Sequence, residues 1–350
     1  MSIPWKNKTI LITGGTGSFG KTFVRRILGF KPKKVIVFSR DEMKQWEMKK
    51  EIADPEHRIR YFIGDIRDAN RLHRAFHGVN LVVHAAALKI VPTAEYNPFE
   101  AIQTNVIGAE NIINMAIDNN VERVVALSTD KAANPVNLYG ATKLCAEKMF
   151  VAGNNYSPFG TKFSVVRYGN VFGSRGSVVP FFKECRDRGV VPITDARMTR
   201  FWINLDQGVD LVLHALEDSQ GGEIFVPKLP SIRIADLAKA VCPNARQEIT
   251  GIRPGEKLHE TLVSSDDGIS TYEYKNEFIV FPQIVAATTK RNGGKPLGTD
   301  FEGYRSDLND QWLDTTALRQ LIQKDDPSWN PFPTVKPRAA RKKLKKQAVS

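Results

Sequence analysis

The stretch TGGTGSFG, residues 13–20, constrains the fold of this chain more than any other. Gly14, Gly17 and Gly20 stand at three-residue intervals, directly between a β-branched run (KTILITG, 8–14) and a helical stretch (KTFVRRILGF, 21–30). Glycine allows a tight turn and lets a phosphate come to where a side chain would otherwise stand. The N-terminus of the following helix offers free N–H groups and the positive end of its dipole. With the strand before and the helix after, the spacing is that of a loop cradling a pyrophosphate rather than of an ordinary turn. Thr16, Ser18 and Phe19 are expected to line the same loop.

The strand-then-helix texture recurs through the first half. KVIVFSR (34–40), IRYFIGD (59–65), NLVVHAAA (80–87) and ERVVALST (122–129) read as strands, and KFSVVRYGNVFG (162–173) as a sixth with its exit loop. Helices are expected around Arg67–Phe76 and over 97–119 and 138–151. Runs such as VIVF and LVVH are apolar at nearly every position, as suits strands covered on both faces. The alternation predicts an α/β fold with a Rossmann-type doubly wound parallel sheet. After about residue 174, turns rich in Gly and Pro separate shorter pieces, which predicts a smaller C-terminal substrate-binding lobe and a helix over 232–242. The expected division is 1–173 for the dinucleotide-binding domain, with some later segments returning to it. Residues 174–285 form mainly the lobe, 286–326 an extension, and 327–350 a basic tail with little fixed structure.

The net charge of +12 over 350 residues raises the question of nucleic acid. Much of the excess lies between Lys336 and Lys346, which reads as a solvated tail, and no nucleic-acid partner is expected. The modestly basic remainder suits a phosphate-bearing substrate and cofactor. No apolar run approaches the roughly 20 residues of a membrane span. The first residues lack a signal-peptide pattern. Cys145, Cys185 and Cys242 lie far apart, without CxxC spacing, so a reducing cytoplasm is expected. His84, His214 and His259 lack metal-ligand spacing and read as packing or surface residues; no metal is expected.

The end of the second strand distinguishes the two nicotinamide dinucleotides. NAD enzymes place an acidic residue there for the ribose 2′-hydroxyl. Ser39 and Arg40 stand there instead, with Lys44 one turn on. A hydroxyl donor and a stacking guanidinium suit a 2′-phosphate, so NADP is the expected cofactor. Asp41, Glu42 and Met43 belong to the same contact region. Asp65 and Ile66, at the end of the third strand, are placed to meet adenine, and Ala85, Ala86 and Ala87 leave room for close approach. Lys89, Asn105 and Val171 complete the expected cofactor set.

Tyr139 and Lys143 form YxxxK on one helix face. A neighbouring ammonium lowers a phenol's pKa, so the tyrosine can take a proton from a substrate hydroxyl, while the lysine can also hold the nicotinamide ribose. Ten residues upstream, Thr129 can bond a substrate oxygen. This order, after a glycine-rich NADP unit, is the extended short-chain dehydrogenase/reductase pattern. Asp130 and Lys131 add two titratable groups. A simple epimerase or reductase needs neither, whereas a dehydratase needs an acid for a departing hydroxyl and a base for an acidified C–H.

STDKAANPVNLYGATK (128–143), SRDEMKQ (39–45), AAALKIVPTAEYNP (85–98), RYGNVFGSRGSVVPFF (167–182), MTRFWI (198–203) and GIRPGEKLHE (251–260) together resemble the inverting UDP-N-acetylglucosamine 4,6-dehydratases, which open bacterial pseudaminic acid synthesis. The likeness spans roughly residues 5–285; the basic tail has no part in it. Related membrane-anchored and capsule-type enzymes keep STDK but often carry Met at the position of Tyr139, so Tyr139 points to the soluble inverting group. The resemblance implies the following roles. Tyr139, with Lys143, deprotonates the C4 hydroxyl as hydride passes to NADP⁺. Lys131 removes the C5 proton and Asp130 protonates the departing C6 hydroxyl. Hydride returns to C6, C5 is reprotonated on the opposite face, and the product is UDP-2-acetamido-2,6-dideoxy-β-L-arabino-hex-4-ulose. As a base Lys131 must be neutral, and Lys143 is the cation expected to depress its pKa. Which of Lys131 and Tyr139 handles each C5 proton stays open.

For the substrate, Arg200 and Arg253 are expected at the diphosphate. Lys89, Tyr139, Asn170 and the loop Arg175, Gly176, Ser177, Val178, Val179, Pro180 are expected to line the sugar and diphosphate, and Thr194 and Glu256 to hold the uridine or its ribose. The family implies a homo-oligomer, dimer or hexamer. A 4-epimerase or a retaining 4,6-dehydratase is the alternative on the same fold, and a non-enzymatic NADP-binding scaffold the alternative of another class. Such scaffolds usually lose the tyrosine or lysine, and both are present.

Overall fold

The computed structural model describes residues 3–173, 177–283 and 292–331. Its spine is a parallel sheet of β1 (Thr9–Thr13), β2 (Lys34–Ser39), β3 (Ile59–Ile63), β4 (Leu81–His84), β5 (Arg123–Leu127) and β6 (Lys162–Val166) in the spatial order β3-β2-β1-β4-β5-β6. The order reverses beside β1, which places the glycine loop at the carboxyl edge, at the switch point where open α/β sheets bind ligands. Every residue of β1 and β4 is buried, because α1 (Ser18–Leu28), α2 (Glu42–Glu51) and α3 (Ala69–Phe76) lie on the sheet together with later helices.

The helix expected over 97–119 forms over 98–118, with one irregular turn inside it. α4 (Val91–Tyr96) ends at Asn97, and α5 (Pro98–Ile102) begins with Pro98 at its first position, where a missing N–H costs nothing. One π-helical turn, Gln103–Ile107, then leads into α6 (Gly108–Asp118). α7 (Leu138–Gly153) is capped by Asn137, whose Oδ1 accepts from Gly140 N at 2.8 Å.

Beyond residue 177 the chain alternates between two cores. α8 (Val178–Cys185), β7 (Val190–Ile193) and β8 (Thr199–Phe201) are followed by α9 (Leu205–Asp218), which packs on α1, and β9 (Ile224–Pro227), which returns to the main sheet parallel to β6. β10 (Ser231–Arg233) pairs with β8, α10 (Ile234–Val241) follows, and β11 (Arg246–Ile249) pairs with β7. After β12 (Thr261–Val263), the strands β13 (Thr271–Glu273), β14 (Glu277–Val280) and β15 (Lys295–Pro296) extend the sheet antiparallel from β9, an edge that the alternating pattern had not announced. β16 (Tyr304–Arg305) pairs with β12, and α11 (Thr315–Asp325) lies on α10. A second apolar cluster joins Val179, Phe182, Val191, Trp202, Leu237, Leu318 and Trp329. Residues 327–331 therefore have a place in the fold, contrary to the expectation of a loose tail from 327. Trp329 is 5% exposed, and the carbonyl of Asn330 accepts from Arg186 at 2.8 Å. The basic run from Lys336 lies outside the described residues.

Candidate active site

At the glycine loop, Gly14 takes φ +64°, and a Cβ on it would stand 2.9 Å from Ala86 N and 3.0 Å from the Ala85 carbonyl. Ala85 and Ala86 themselves donate backbone N–H to Thr13 Oγ1, each at 3.2 Å. Gly20 lies so close to Gly15 that a Cβ would collide with its carbonyl. Gly17 is the N-cap of α1, and no side chain caps that end. Loop and helix thus leave a hollow of about 220 Å³ at the helix start, bordered by Thr16, Ser18, Gly173 and Leu205. Its outer wall carries Lys21 and Arg25, both paired with Glu51. An anion belongs at such a place, and the missing Cβ atoms make the cradle.

Ser39 closes β2 and is buried; its Oγ accepts from Gln45 Nε2 at 3.0 Å. The Arg40 side chain is about half exposed, 3.6 Å from Asp65. Asp41 is the N-cap of α2: its carboxylate accepts from Lys44 N at 3.0 Å and pairs with Lys44 Nζ at 2.8 Å. That acid is engaged by its own helix. Glu42 and Met43 open α2, and Met43 is exposed. Burial opposes ionisation of Asp65, but hydrogen bonds and charge from Arg67 outweigh it and hold the carboxyl below its usual range. Ile66 is buried against Gly108, where a Cβ would come within 2.7 Å. The π-turn carries the buried Asn105, whose carboxamide bonds both Leu88 N (2.8 Å) and Leu88 O (2.9 Å) and reaches Thr142 Oγ1 on α7 (3.0 Å). It fixes the loop bearing the exposed Lys89. Val171 bridges to Ile203, joining the exit of β6 to the segment after β8.

The polar centre lies at the ends of β5 and β6. Thr129 caps a single 3-10 turn, Asp130–Ala132, and donates from Oγ1 to Asp130 Oδ1 at 2.8 Å. Asp130 is fully buried, and its Oδ2 has no hydrogen-bond partner. Lys131 Nζ donates to Asp130 Oδ1 (3.1 Å), Asn170 Oδ1 (3.2 Å) and Glu260 Oε1 (3.4 Å). Tyr139 and Lys143 stand on α7 beside this turn, 9% and 5% exposed.

The electrostatics depart from expectation at two points. Desolvation would lower Lys131, but Asp130 and Glu260 outweigh it and hold the ammonium above its ordinary range; Lys143 is not the cation that governs it. Burial pushes the Tyr139 phenol up to about 12, and the cation opposing that rise is Lys131 rather than Lys143, with help from the Thr129 hydroxyl. Lys143 is lowered by desolvation to about 8, partly countered by Glu147. Glu147 itself accepts a two-point contact from the buried Arg167 (3.0 and 2.6 Å). Desolvation, then the negative charge of Glu260, raise Asp130, while Lys131 and Thr129 act the other way. His84 is fully buried, bonded to Thr13 Oγ1 at 2.9 Å and held neutral by desolvation, with a pKa of about 3; it is a packing residue.

Glu260 is the polar residue that the sequence reading overlooked. It is 1% exposed and lies 3.4 Å from Arg200 Nε as well as from Lys131. Arg200 is 7% exposed and donates to the carbonyls of Thr199 (2.7 Å), Leu258 (3.2 Å) and Lys257 (3.1 Å), so most of its donors already face protein. The one signal available beforehand was that the motif GIRPGEKLHE ends on an acid. That segment is tied to the start of α7: Lys257 Nζ donates to Ala133 O at 2.6 Å, and Asn137 Nδ2 to Gly255 O at 2.8 Å. A cleft of about 520 Å³ opens there, bordered by Val136, Glu256, Lys257, His259 and Arg305. Arg253 is exposed, and its backbone N–H donates to Glu256 Oε2 at 3.4 Å. The Thr194 carbonyl accepts from Gly251 at 3.1 Å, which places Thr194 at the root of the same segment. Ser177 precedes α8 without a side-chain capping bond, with Val178 and Pro180 partly exposed and Val179 buried in the second cluster. Arg175 and Gly176 lie outside the described residues. No group of side chains among the described residues has the composition of a metal site, and no described helix is long and apolar enough to cross a membrane.

Sheet order, glycine cradle and the Thr129–Tyr139–Lys143 set define an extended short-chain dehydrogenase/reductase. More narrowly, the chain belongs to the family described as "Polysaccharide biosynthesis protein", which it matches over residues 10–282. It is 51% identical over 330 residues to a Campylobacter jejuni protein named UDP-N-acetylglucosamine 4,6-dehydratase (inverting), covering 91% of this chain and 98% of that one. It is 46% identical over 271 residues to a Rickettsia conorii protein named UDP-glucose 4-epimerase, covering 75% and 79%. Among solved structures, Pen from Bacillus thuringiensis superposes with a TM-score of 0.84 at 37% identity, covering 92% of this chain and all of that one. DesIV, a dTDP-glucose 4,6-dehydratase from Streptomyces venezuelae solved with NAD and TYD, gives 0.62 at 25% identity over 71% and 86%.

Proposed function

We propose that the protein is an NADP-dependent hydro-lyase that converts UDP-N-acetylglucosamine to the 4-keto-6-deoxy sugar with inversion at C5, the first step of pseudaminic acid synthesis. It would act in the cytoplasm as a homo-oligomer. One observation carries the reading: a buried carboxyl and a lysine, Asp130 and Lys131, stand in contact at 3.1 Å on the turn beside Tyr139. Exchanging hydrogen at C4 needs only Tyr139 and the cofactor; removing water needs an acid and a base besides. The name of the Campylobacter jejuni relative supports the same reaction, and the NAD-bound DesIV supports a nicotinamide dinucleotide. Ser39 and Arg40 at the end of β2, with Asp41 engaged in capping α2, favour the 2′-phosphorylated form.

The glycine cradle and the start of α1 would hold the pyrophosphate, and Lys143 the nicotinamide ribose. When bound, the cofactor supplies hydride acceptance at C4 and return at C6. The rest falls to side chains. Tyr139 receives the C4 hydroxyl proton as a phenolate, once it has given up its own proton; burial holds the phenol at about 12, and Lys131 and Thr129 oppose that rise. Asp130, raised by burial, stays protonated and gives its proton to the departing C6 hydroxyl. Lys131 becomes a base only when its ammonium has shed a proton to solvent, which its 22% exposed side chain reaches, since Asp130 already carries its own. That loss leaves a neutral amine beside a neutral acid, the pair that dehydration needs.

The second reading is a 4-epimerase, favoured by the name of the Rickettsia conorii relative. Proton NMR of the protein with UDP-N-acetylglucosamine separates the two. Dehydration replaces the C6 hydroxymethyl signals with a methyl doublet; intact C6 with inverted C4 would sink the proposal.

A further inference from the structure

Two buried carboxyl groups, Asp130 and Glu260, are both within hydrogen-bond reach of the single Nζ of Lys131. Each is at most 1% exposed, and each keeps one oxygen, Asp130 Oδ2 and Glu260 Oε2, without a partner. Like charges so close in a dry site do not both ionise readily, so one of them tends to hold a proton. The surroundings decide which. Glu260 faces Lys131 from the 3-10 turn, Arg200 from β8 and Lys257 from its own segment. Asp130 faces Lys131, Lys257 and Glu260, with the neutral Tyr139 from α7 and the Thr129 hydroxyl. Lys131 and Lys257 act on both carboxyls, and Arg200, paired with Glu260 at 3.4 Å, tips the balance and makes Glu260 the ionised partner. Its backbone is locked in place: Glu260 N donates to Ser306 Oγ and Ser306 N to Glu260 O, both at 2.9 Å.

We propose that Glu260 is a positioning residue for this reaction: its carboxylate, held ionised by Arg200 and Lys257, keeps the shared proton on Asp130 and anchors Lys131 between Asp130 and Asn170. The inference rests on the dehydratase reading above for its kinetic consequence, though not for the protonation itself. Desolvation raises Asp130, and Glu260 adds to the rise; desolvation would also raise Glu260, but the three cations overcome it and leave that carboxyl below its ordinary range. Because Asp130 acts as the acid, turnover falls as pH rises through its pKa. Removing the charge of Glu260 lowers that pKa, so the fall moves to lower pH.

The test uses the full-length protein with its cofactor bound and the conservative pair Glu260→Gln and Glu260→Asp. In Glu260→Gln the alkaline limb of kcat should move down by on the order of one pH unit, and kcat on the alkaline side of both limbs should drop about tenfold. KM for UDP-N-acetylglucosamine should stay within roughly threefold, because no substrate contact is lost. Glu260→Asp, which retains the charge, should keep the limb within about 0.3 units of wild type. A second readout needs no turnover. The infrared carboxylic-acid C=O band that Asp130→Asn abolishes should be present in wild type at neutral pH and titrate away at lower pH in Glu260→Gln. An unmoved limb with an unmoved band overturns the inference, and so does a uniform loss of kcat at every pH. If Glu260→Gln does not fold, the band in Glu260→Asp decides, since its absence at neutral pH contradicts the proposal. Wild-type protein that holds the band but forms no methyl product would overturn the dehydratase reading and leave the proton on Asp130.

Discussion

Protonation at the Asp130–Lys131–Tyr139 centre is set by burial first and by charge second. None of the three stands at its solution value, because Asp130 and Tyr139 are almost out of water, Lys131 is partly so, and two carboxyl groups surround one ammonium. The residue types and their adjacency were legible in STDK and YxxxK. Their electrostatics were not: Glu260 is 129 positions from Lys131, and only the fold brings it to 3.4 Å. Lys143 was expected to tune its neighbours, but the i, i+4 spacing does not say which way two side chains lean. Replacing Lys131 with Met should lower kcat by roughly three orders of magnitude and leave the NADP dissociation constant within twofold, measured by calorimetry; wild-type turnover would contradict the assigned role. Lys143 makes a pH prediction. Its pKa of about 8 lies below the ordinary lysine value, so its charge is present at neutral pH and is lost as pH rises through that value. NADP affinity should weaken across that interval, and Lys143→Met should remove that part of the dependence.

Strand periodicity and the glycine spacing made β1 to β6 and α1 readable. The helix over 97–119 was legible in its apolar rhythm, but the π-turn inside it was not. Hydrogen-bond register, not hydrophobic pattern, separates a π-turn from an α-turn, and here the change delivers Asn105 to both backbone groups of Leu88. The antiparallel strands β13 to β15 were hidden for a related reason: at two to four residues they are too short to show a period of two. Gly20→Ala tests the cradle as an element. Its Cβ meets backbone at Gly15, which cannot swing aside, so we expect a loss of about 2 kcal/mol in unfolding free energy and a much weakened NADP affinity. Unchanged values in urea unfolding and calorimetry would show that α1 does not need that close approach.

Across the molecule, the later chain returns to earlier parts: β9 rejoins the sheet, Glu260 closes the polar centre, and Trp329 completes the second cluster beneath α8 and α11. Trp329 was invisible as a core residue because prolines and charges surround it in sequence. Trp329→Ala should cost about 3 kcal/mol, read from the urea midpoint, while leaving NADP affinity intact, since the glycine cradle belongs to the other core. The whole arrangement is proposed to move hydrogen within one sugar, from C4 to C6, while Asp130 and Lys131 remove water between. Supplying UDP-N-acetylglucosamine deuterated at C4 measures this directly. The account predicts a product whose C6 methyl carries that deuterium as CH₂D. Deuterium still at C4 of an epimerised sugar, or a C6 methyl without it, would contradict the account.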